Sequence, residues 1–339
     1  MQLHSGWATR TCAAVAALAV SGFARPCSGV GPTGQPVVFG DQTNIVIWDE
    51  AHHMEHFIRN ANFKSGASDF GFIAPTPGKP DLHEASTKAF YTLASLAPVL
   101  RVRGGYGGAG RRFADEDRMS EVKVIQEADV SGFHATTLWS HDAHAINDWM
   151  NAHGYVSTPE VEKWADRYTK RGWYLTAFKV VDKAKLAAST GTIRMSFRTN
   201  KPFNPFYVPK TNIPLGGGGT LRVYFVSVGD YDGTIGGTEA WQTPQWTSAI
   251  PWTTGDQLAA QVELPKEAIP NRSQVEAFVD TNFPRPAAED IYFVKRKPPV
   301  EEAKQLSVPP APGCRPLTFA PLFAGLGILG IAVRRRRSV

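Results

Sequence analysis

The chain has 339 residues, of which 42% are hydrophobic, 20% charged and 11% aromatic, and this composition excludes a disordered or fibrous protein. Lys and Arg total 36 against 31 Asp and Glu, a net charge of +5. Five of the arginines, Arg10 and Arg334–Arg337, lie near the two ends, which leaves 31 basic against 31 acidic residues. Since the remainder is neutral, we expect no nucleic-acid partner.

Residues 1–24 have the three parts of a secretory signal peptide. Arg10 supplies the positive charge, an apolar stretch follows, and Gly22-Phe23-Ala24 is a small-x-small cleavage site. About a dozen apolar residues are too few for a permanent membrane-spanning helix. We therefore predict cleavage after Ala24 by the export machinery, with a buried N-terminal helix as the alternative. Cys27 follows closely, so a lipidated cysteine is a second possibility.

The body, residues 25–294, is predicted to be an α+β domain with mixed or antiparallel sheets and a packed helical pair. Runs of strands interrupted by helices differ from regularly alternating βαβ units. The predicted strands lie within Ile45–Trp48, Phe57–Phe63, Asp69–Pro77, Val122–Val130, Phe133–Leu138, Trp173–Val181, Gly191–Arg198 and Thr220–Val228. The predicted helices are residues 83–96, Ser140–Asn151 and a helix that begins at Pro159 and ends near Gly172.

The last two helices form the predicted pair. Ser140 can cap the first of them, and Pro159 suits the first turn of the second. Four aromatic residues lie on the apolar sides of these helices and of the strand that follows. We predict that these residues pack together; they are Trp149, Trp164, Tyr168 and Trp173.

Four segments of the body resemble a known family in their order and spacing. They are Asp69–Pro77, Asp148–Tyr155, Arg171–Lys179 and Met195–Phe206. Together they are similar to the bacterial exported family catalogued as domain of unknown function 2330, and the resemblance covers roughly residues 27–228. It implies an exported, often membrane-attached bacterial protein. The family brings no established reaction, ligand or catalytic residue.

Two groups of histidines with nearby carboxylates are the candidate metal ligands. They are His52, His53 and His56, with Glu55 among them, and His141 and His144, with Asp142 between them. Imidazole and carboxylate groups bind zinc, but a structural zinc site needs four ligands. Polar residues in a turn or at a helix start explain both groups equally well. We therefore predict no cofactor and no metal, and we keep the five histidines as candidates.

Other patterns have an ordinary structural explanation. Gly105-x-Gly107-x-x-Gly110 fits a dinucleotide-binding pattern, but the charged stretch after it lacks an apolar helical face, so we predict a flexible loop. Asp230, Asp232 and Glu239 do not have the spacing of an EF-hand and are predicted to lie in a solvated turn. The chain has no Gly-x-Ser-x-Gly elbow, so we name no catalytic residue.

Three tryptophans in a proline-containing segment allow two interpretations. Trp241, Trp246 and Trp252 could form an exposed aromatic face for a glycan or protein partner. They could equally be core or loop anchors, and we favour this because tryptophan is usually mostly buried.

The C-terminal part resembles a sorting tag. Residues 295–313 form a proline-rich stalk, and residues 314–339 contain Cys314, an apolar run over 317–333 and four arginines. This layout is similar to bacterial sorting tags of the myxobacterial type, in which a membrane protease is thought to process the tag near the cysteine. An ordinary membrane anchor is the alternative.

These features together predict an exported protein of the cell envelope or cell surface, anchored at least transiently by its C-terminal segment. Our leading hypothesis is a non-catalytic binding or structural module with an unidentified envelope partner. The alternative is an exported hydrolase or metal-binding protein. Histidine and acidic side chains that converge in a pocket would distinguish the second hypothesis from the first.

Overall fold

The computed structural model describes residues 28–30, 38–39, 41–60, 63–64, 71–98, 121–155, 157–181, 191–209, 219–283 and 288–297. Within these residues the chain forms many strands and four α-helices, so the predicted α+β class is confirmed, with strands dominating.

The strands in chain order are β1 (Ser28–Val30), β2 (Val38–Phe39), β3 (Gln42–Asp49), β4 (Met54–Asn60), β5 (Phe63–Lys64), β6 (Gly71–Thr76), β7 (Asp81–Glu84), β8 (Lys123–Val130), β9 (Phe133–Trp139), β10 (Tyr174–Val180), β11 (Thr192–Arg198), β12 (Phe203–Asn204), β13 (Gly219–Ser227), β14 (Tyr231–Ile235), β15 (Glu239–Gln242), β16 (Trp246–Ala249), β17 (Gln274–Phe283) and β18 (Ile291–Lys295). The helices are α1 (Lys88–Ala94), α2 (Ala143–Ala152), α3 (Pro159–Thr169) and α4 (Trp252–Gln261), and a short 3-10 helix follows at Lys266–Ala268.

Three larger sheets carry the fold. The seven-stranded sheet has the order β16-β17-β13-β3-β4-β11-β7, the five-stranded sheet β1-β6-β10-β9-β8, and the four-stranded sheet β12-β18-β14-β15. A two-stranded ribbon joins β2 to β5. Neighbouring strands are antiparallel except for β3 and β13, which are parallel.

The two faces of the seven-stranded sheet belong to different cores, because side chains alternate between the faces along each strand. On β3, Val46 and Trp48 point to the inner face, where the five-stranded and four-stranded sheets pack. Ile45 and Ile47 point to the outer face, which α1 and α4 cover. Helices α2 and α3 cover the far side of the five-stranded sheet.

The first predicted helix is wrong in its N-terminal half. Instead of a helix over 83–96, Asp81–Glu84 forms strand β7, and the helix is only Lys88–Ala94. Strand β7 pairs with β11, so that Leu82 lies opposite Met195 and packs on the inner core. This pairing with a distant strand outweighs the helical spacing of the apolar residues.

The predicted helical pair is confirmed, with one change at its start. Helix α2 is capped by Asp142, whose side chain accepts a hydrogen bond from the backbone N–H of His144, and not by Ser140. Ser140 is buried, and its hydroxyl accepts from the backbone N–H of Asp142 instead. Helix α3 begins at Pro159 as expected, with Thr158 as its cap.

The predicted aromatic cluster forms at the junction of this pair with β10. Trp164 and Tyr168 are fully buried with their ring centroids 5.0 Å apart, and Trp173 lies 5.5 Å from Tyr168. Trp149 packs at the edge of the same core, but its ring neighbours are His153, at 4.0 Å, and Tyr155, at 6.0 Å. The junction is therefore built mainly from three of the four predicted residues.

Four fully buried acids connect the sheets through hydrogen bonds. Glu55 on β4 accepts from the backbone N–H of Phe203 at 2.9 Å, and Glu276 on β17 accepts from that of Tyr231 at 2.9 Å. Asp280 accepts from the Trp241 indole at 2.7 Å. The fourth acid, Asp290, lies just before β18 and bonds to Tyr168 on α3 and to the backbone of Phe206 and Tyr207. Because a buried carboxyl group must be hydrogen-bonded, Glu55, Glu276 and Asp280 fix the four-stranded sheet against the seven-stranded one.

The predicted signal peptide with its cleavage site at Ala24, Cys27, the glycine-rich loop of residues 104–112, and the C-terminal segment with Cys314 and residues 317–333 lie outside the described residues. Among the residues that are described, no helix has the length and apolarity needed to cross a membrane.

Candidate binding groove

The first histidine group does not converge on one point. His52 and His53 lie in the exposed turn between β3 and β4, where His52 Nδ1 is 2.5 Å from Asp49 Oδ2. His53 has a φ of 51° and stands edge-on to Trp48. His56 lies within β4 and is only 7% exposed. Each ring therefore has a separate role within the fold.

The second group lies at the start of α2 and is also engaged within the fold. The ring of His141 packs edge-on against Trp139, with centroids 4.7 Å apart. The exposed His144 faces Glu162 at 3.3 Å and Asp148 at 3.5 Å. A hydrogen bond from Glu162 and the two negative charges raise the pKa of His144.

Sequence reasoning missed the partner of His56, which is Ser196 on the neighbouring strand β11. His56 Nδ1 lies 2.8 Å from Ser196 Oγ, and Asp81 is directly opposite Ser196 on β7. Burial, with the positive charge of Arg194, lowers the pKa of His56 to about 4. A neutral histidine beside a serine can act as the general base that activates the serine hydroxyl as a nucleophile. Both side chains are more than 90% buried, so a substrate cannot reach them in this conformation.

Within the described part of the chain, no group of three or more histidine, cysteine, aspartate or glutamate side chains is arranged to hold a metal ion. Asp230 and Asp232 are engaged in other contacts: Gln274 donates to Asp230 at 2.7 Å, and Arg296 pairs with Asp232 at 2.8 Å.

The three tryptophans of the C-terminal half have different environments. Trp241 is buried, and Trp246 is half-buried and packs against Tyr224, as expected for core anchors. Trp252 is 71% exposed and lies at the start of α4. Trp252 is therefore the one of these three tryptophans whose ring is available to a ligand, and an exposed indole offers an apolar face together with an N–H donor.

Trp252 borders a groove with a volume of about 590 Å³. One wall is the first turn of α4, where Trp252, Gly255 and Asp256 have the i, i+3, i+4 spacing that places them on one helix face. The other wall is the 3-10 helix Lys266–Ala268 with the turn that follows it. The residues lining the groove are Ile250, Pro251, Trp252, Gly255, Asp256, Lys266, Glu267, Ile269, Pro270 and Asn271.

The far wall of the groove is held in a fixed shape. Ser273 donates to the Pro270 carbonyl from both its N–H, at 3.1 Å, and its hydroxyl, at 2.7 Å. Within this turn Arg272 has a φ of 75°, in the left-handed region that non-glycine residues rarely adopt. The Ile250 N–H bonds to the Ser273 carbonyl at 2.9 Å and ties this wall to the end of β16.

The rim of the groove carries polar side chains that the fold does not use. In the part of the chain that the structure describes, four exposed side chains at the rim make no hydrogen bond or ion pair: Asp256, Lys266, Glu267 and Asn271. The histidines and buried acids described above all have partners. The groove therefore combines an exposed aromatic ring with donors and acceptors that are available to a ligand.

Gly255 forms the floor of the groove, and a methyl group there would fit. A Cβ at this position would lie 3.6 Å from Ile269 Cγ2 and 3.9 Å from Ile250 Cγ2, which is ordinary contact. We expect Gly255→Ala to raise the unfolding free energy by about 0.5–1 kcal/mol, because alanine is favoured over glycine within a helix. Urea unfolding measures this change.

Gly71→Ala is the matched control for this substitution. A Cβ at Gly71 would lie 2.1 Å from the Phe178 carbonyl oxygen, so that variant should lose stability. A Gly255→Ala protein less stable than the wild type would contradict the groove geometry.

Two buried groups should make stability depend on pH in opposite directions. Burial raises the pKa of Glu276 from 4.5 to about 7, even though the Tyr231 N–H and Arg296 favour its charged form and Asp230 and Asp232 oppose it. Its contribution to stability is complete below pH 4.5 and is lost as the pH rises through 7. His56, whose pKa falls from 6.5 to about 4, contributes above pH 6.5 and loses its contribution as the pH falls.

We expect Glu276→Gln to remove the first of these two effects. The unfolding free energy of the variant, relative to the wild type, should increase between pH 5 and pH 8, since glutamine cannot ionise. Urea unfolding at several pH values measures this difference, and the exposed Glu239→Gln is the control. An offset that stays constant with pH would show that Glu276 does not titrate in this range.

Residues 22–227 match the sequence profile of the bacterial family DUF2330, described as an uncharacterised protein conserved in bacteria. The chain belongs to this family. This match confirms the family resemblance of the four segments within residues 27–228. The matched range ends before the groove, which lies in residues 250–271.

The comparisons with curated proteins and with solved structures do not indicate a function for this chain. No curated protein matches the chain. Among solved structures, baculovirus P35 is similar with a TM-score of 0.35 and 9% identity, over 79% of this chain and 94% of that one. A mutated baculovirus P35 after caspase cleavage has a TM-score of 0.33 and 8% identity, over 76% of this chain and 100% of that one. These TM-scores are too low to support any inference about the function of this chain.

Proposed function

We propose that this protein is an exported, non-catalytic binding module of the bacterial cell envelope, and that the groove at Trp252 is its binding site. The observation that carries the proposal is the groove itself, where an exposed tryptophan stands beside polar side chains without partners. Such a combination suits recognition, since the ring supplies contact area and the polar groups supply orientation.

The location in this proposal rests on the two ends of the chain. Residues 1–24 have the charge, apolar run and small residues of a signal peptide, and an apolar run over 317–333 precedes four arginines. N-terminal sequencing of protein from the native host should begin close to Arg25, and an intact Met1 would refute export. Cys314→Ala should change the processed mass if a protease acts on the tail, and an unchanged mass and location would favour a plain anchor.

The binding function is tested by cosedimentation of the full chain with envelope fragments from the native host. The wild type should sediment with the fragments, and Trp252→Ala should remain mostly in the supernatant. Tyr91→Ala is the matched control, because Tyr91 is 75% exposed on α1 but does not line the groove. Sedimentation that does not depend on Trp252 would refute the groove as the binding site.

An exported hydrolase is the second candidate, and the Ser196–His56 pair is the observation that favours it. A hydrolase of this kind would react with a fluorophosphonate probe at Ser196, and Ser196→Ala would abolish the labelling. We expect no labelling, because both side chains are buried. Specific labelling at Ser196 would replace the binding function with a catalytic one.

A further inference from the structure

We infer that the groove binds an oligosaccharide built of pyranose rings whose hydroxyl groups are mostly equatorial. This inference rests on the proposed function and names the class of ligand that the same site takes. Three features of the groove carry it: the exposure of Trp252, the mixed charge of the rim, and the small residue at the floor.

The exposed indole matches one face of such a sugar. A pyranose ring with equatorial hydroxyl groups presents its axial C–H bonds as a flat apolar face, and this face stacks on an aromatic ring. Trp252 is 71% exposed, and no other aromatic ring of the described residues packs against it. On the same helix face Gly255 has no side chain, so a ring stacked on the indole can reach the floor formed with Ile250 and Ile269.

The rim supplies the hydrogen bonds that hydroxyl groups require. Asp256 can accept from two neighbouring hydroxyls, Asn271 can both donate and accept, and Lys266 can donate. With Glu267 the rim carries two acids and one base, so a neutral ligand suits it better than a strongly anionic one. The volume of about 590 Å³ lies within the range of small-ligand sites.

A peptide fits the groove less well than a sugar. An extended peptide binds by adding a strand to a sheet edge through a row of backbone hydrogen bonds. The sheet edge next to the groove is β16, which has four residues and is bounded by Pro244 and Pro251. Short edge strands flanked by proline are poor templates for such pairing.

The direct test is calorimetric titration of the full chain with cellotetraose and with tetra-N-acetylchitotetraose. We expect saturable binding of at least one of them, weakened about tenfold or more in Trp252→Ala and less in Trp252→Phe, which keeps a stacking ring. Gly255→Ala should also weaken binding, because its methyl group raises the floor. Tyr91→Ala should bind as the wild type does, and all variants should keep the wild-type unfolding midpoint or, for Gly255→Ala, exceed it.

The inference is overturned if neither sugar binds at millimolar concentration or if binding does not depend on Trp252. The envelope fragments separate this failure from failure of the proposed function. An excess of soluble cellotetraose and tetra-N-acetylchitotetraose should abolish the Trp252-dependent sedimentation, whereas protease treatment of the fragments should not. If protease abolishes it and the soluble sugars do not, the partner is a protein: the binding function then stands and the sugar inference falls.

Discussion

Asp290→Ala should lower the unfolding free energy by about 3–5 kcal/mol, because it leaves several buried hydrogen-bond donors without a partner. Asp290 is fully buried just before β18, and its Oδ1 accepts three hydrogen bonds: from the backbone N–H groups of Phe206 and Tyr207, at 2.9 and 3.1 Å, and from the Tyr168 hydroxyl, at 3.1 Å. Alanine would leave all three donors buried without a partner.

Two control variants separate the hydrogen bonds of Asp290 from its charge. Burial raises the pKa of Asp290 although its donors favour the ionised form, so the charge itself adds little to stability. Asp290→Asn keeps an acceptor oxygen and should lose much less than Asp290→Ala. Tyr168→Phe removes one donor and should cost about 1 kcal/mol. Denaturant unfolding measures all three, and an Asp290→Ala midpoint close to the wild type would contradict the network.

Trp164→Ala should also lower the unfolding free energy by about 3–5 kcal/mol. Trp164 is fully buried in the core between α2, α3 and the five-stranded sheet, and its indole donates to the Tyr207 carbonyl at 3.0 Å. Truncation leaves a cavity and an unpaired carbonyl. The half-buried Trp149 is the control, and Trp149→Ala should cost clearly less. Equal losses in the two variants would count against this packing.

These two effects should not be additive. Trp164 bonds to the carbonyl of Tyr207 and Asp290 to its N–H, so both hold the same backbone segment. In the double variant this backbone segment is released only once. The loss of unfolding free energy should therefore be smaller than the sum of the losses in the two single variants.

The elements that depend on local spacing could be predicted from the sequence. Helices α2 and α3 have clear apolar faces, α3 also begins with a proline, and the predicted bounds of both agree with the structure to within about three residues. Strand β7 could not be placed, because it forms by pairing with β11, more than a hundred residues away. Within the body, no strands or helices were predicted beyond Val228. In that region α4 contains a glycine and lacks a side-chain cap, so its local signal is weak.

Only part of the candidate site could be predicted from the sequence. Trp252 was named with two other tryptophans, but exposure alone distinguishes it from them, and exposure is decided by tertiary packing. Asp256, Lys266 and Asn271 look like ordinary surface residues until the chain brings them together. The only local signal was the Trp252, Gly255, Asp256 spacing at a helix start. The buried acids were missed because a carboxylate in a strand is ordinarily taken as solvent-facing.

The position of β17 beside β13 limits where the chain can be divided. The family profile ends at residue 227, the last residue of β13. Strand β17, from residues beyond that limit, pairs along β13 and separates it from the edge strand β16. A fragment cut at the profile boundary would expose β13 as a new edge and uncover the phenylalanines of the inner core. The range that the family profile matches is thus shorter than the compact unit, which extends through Arg296, and we expect a fragment that ends at residue 227 to aggregate.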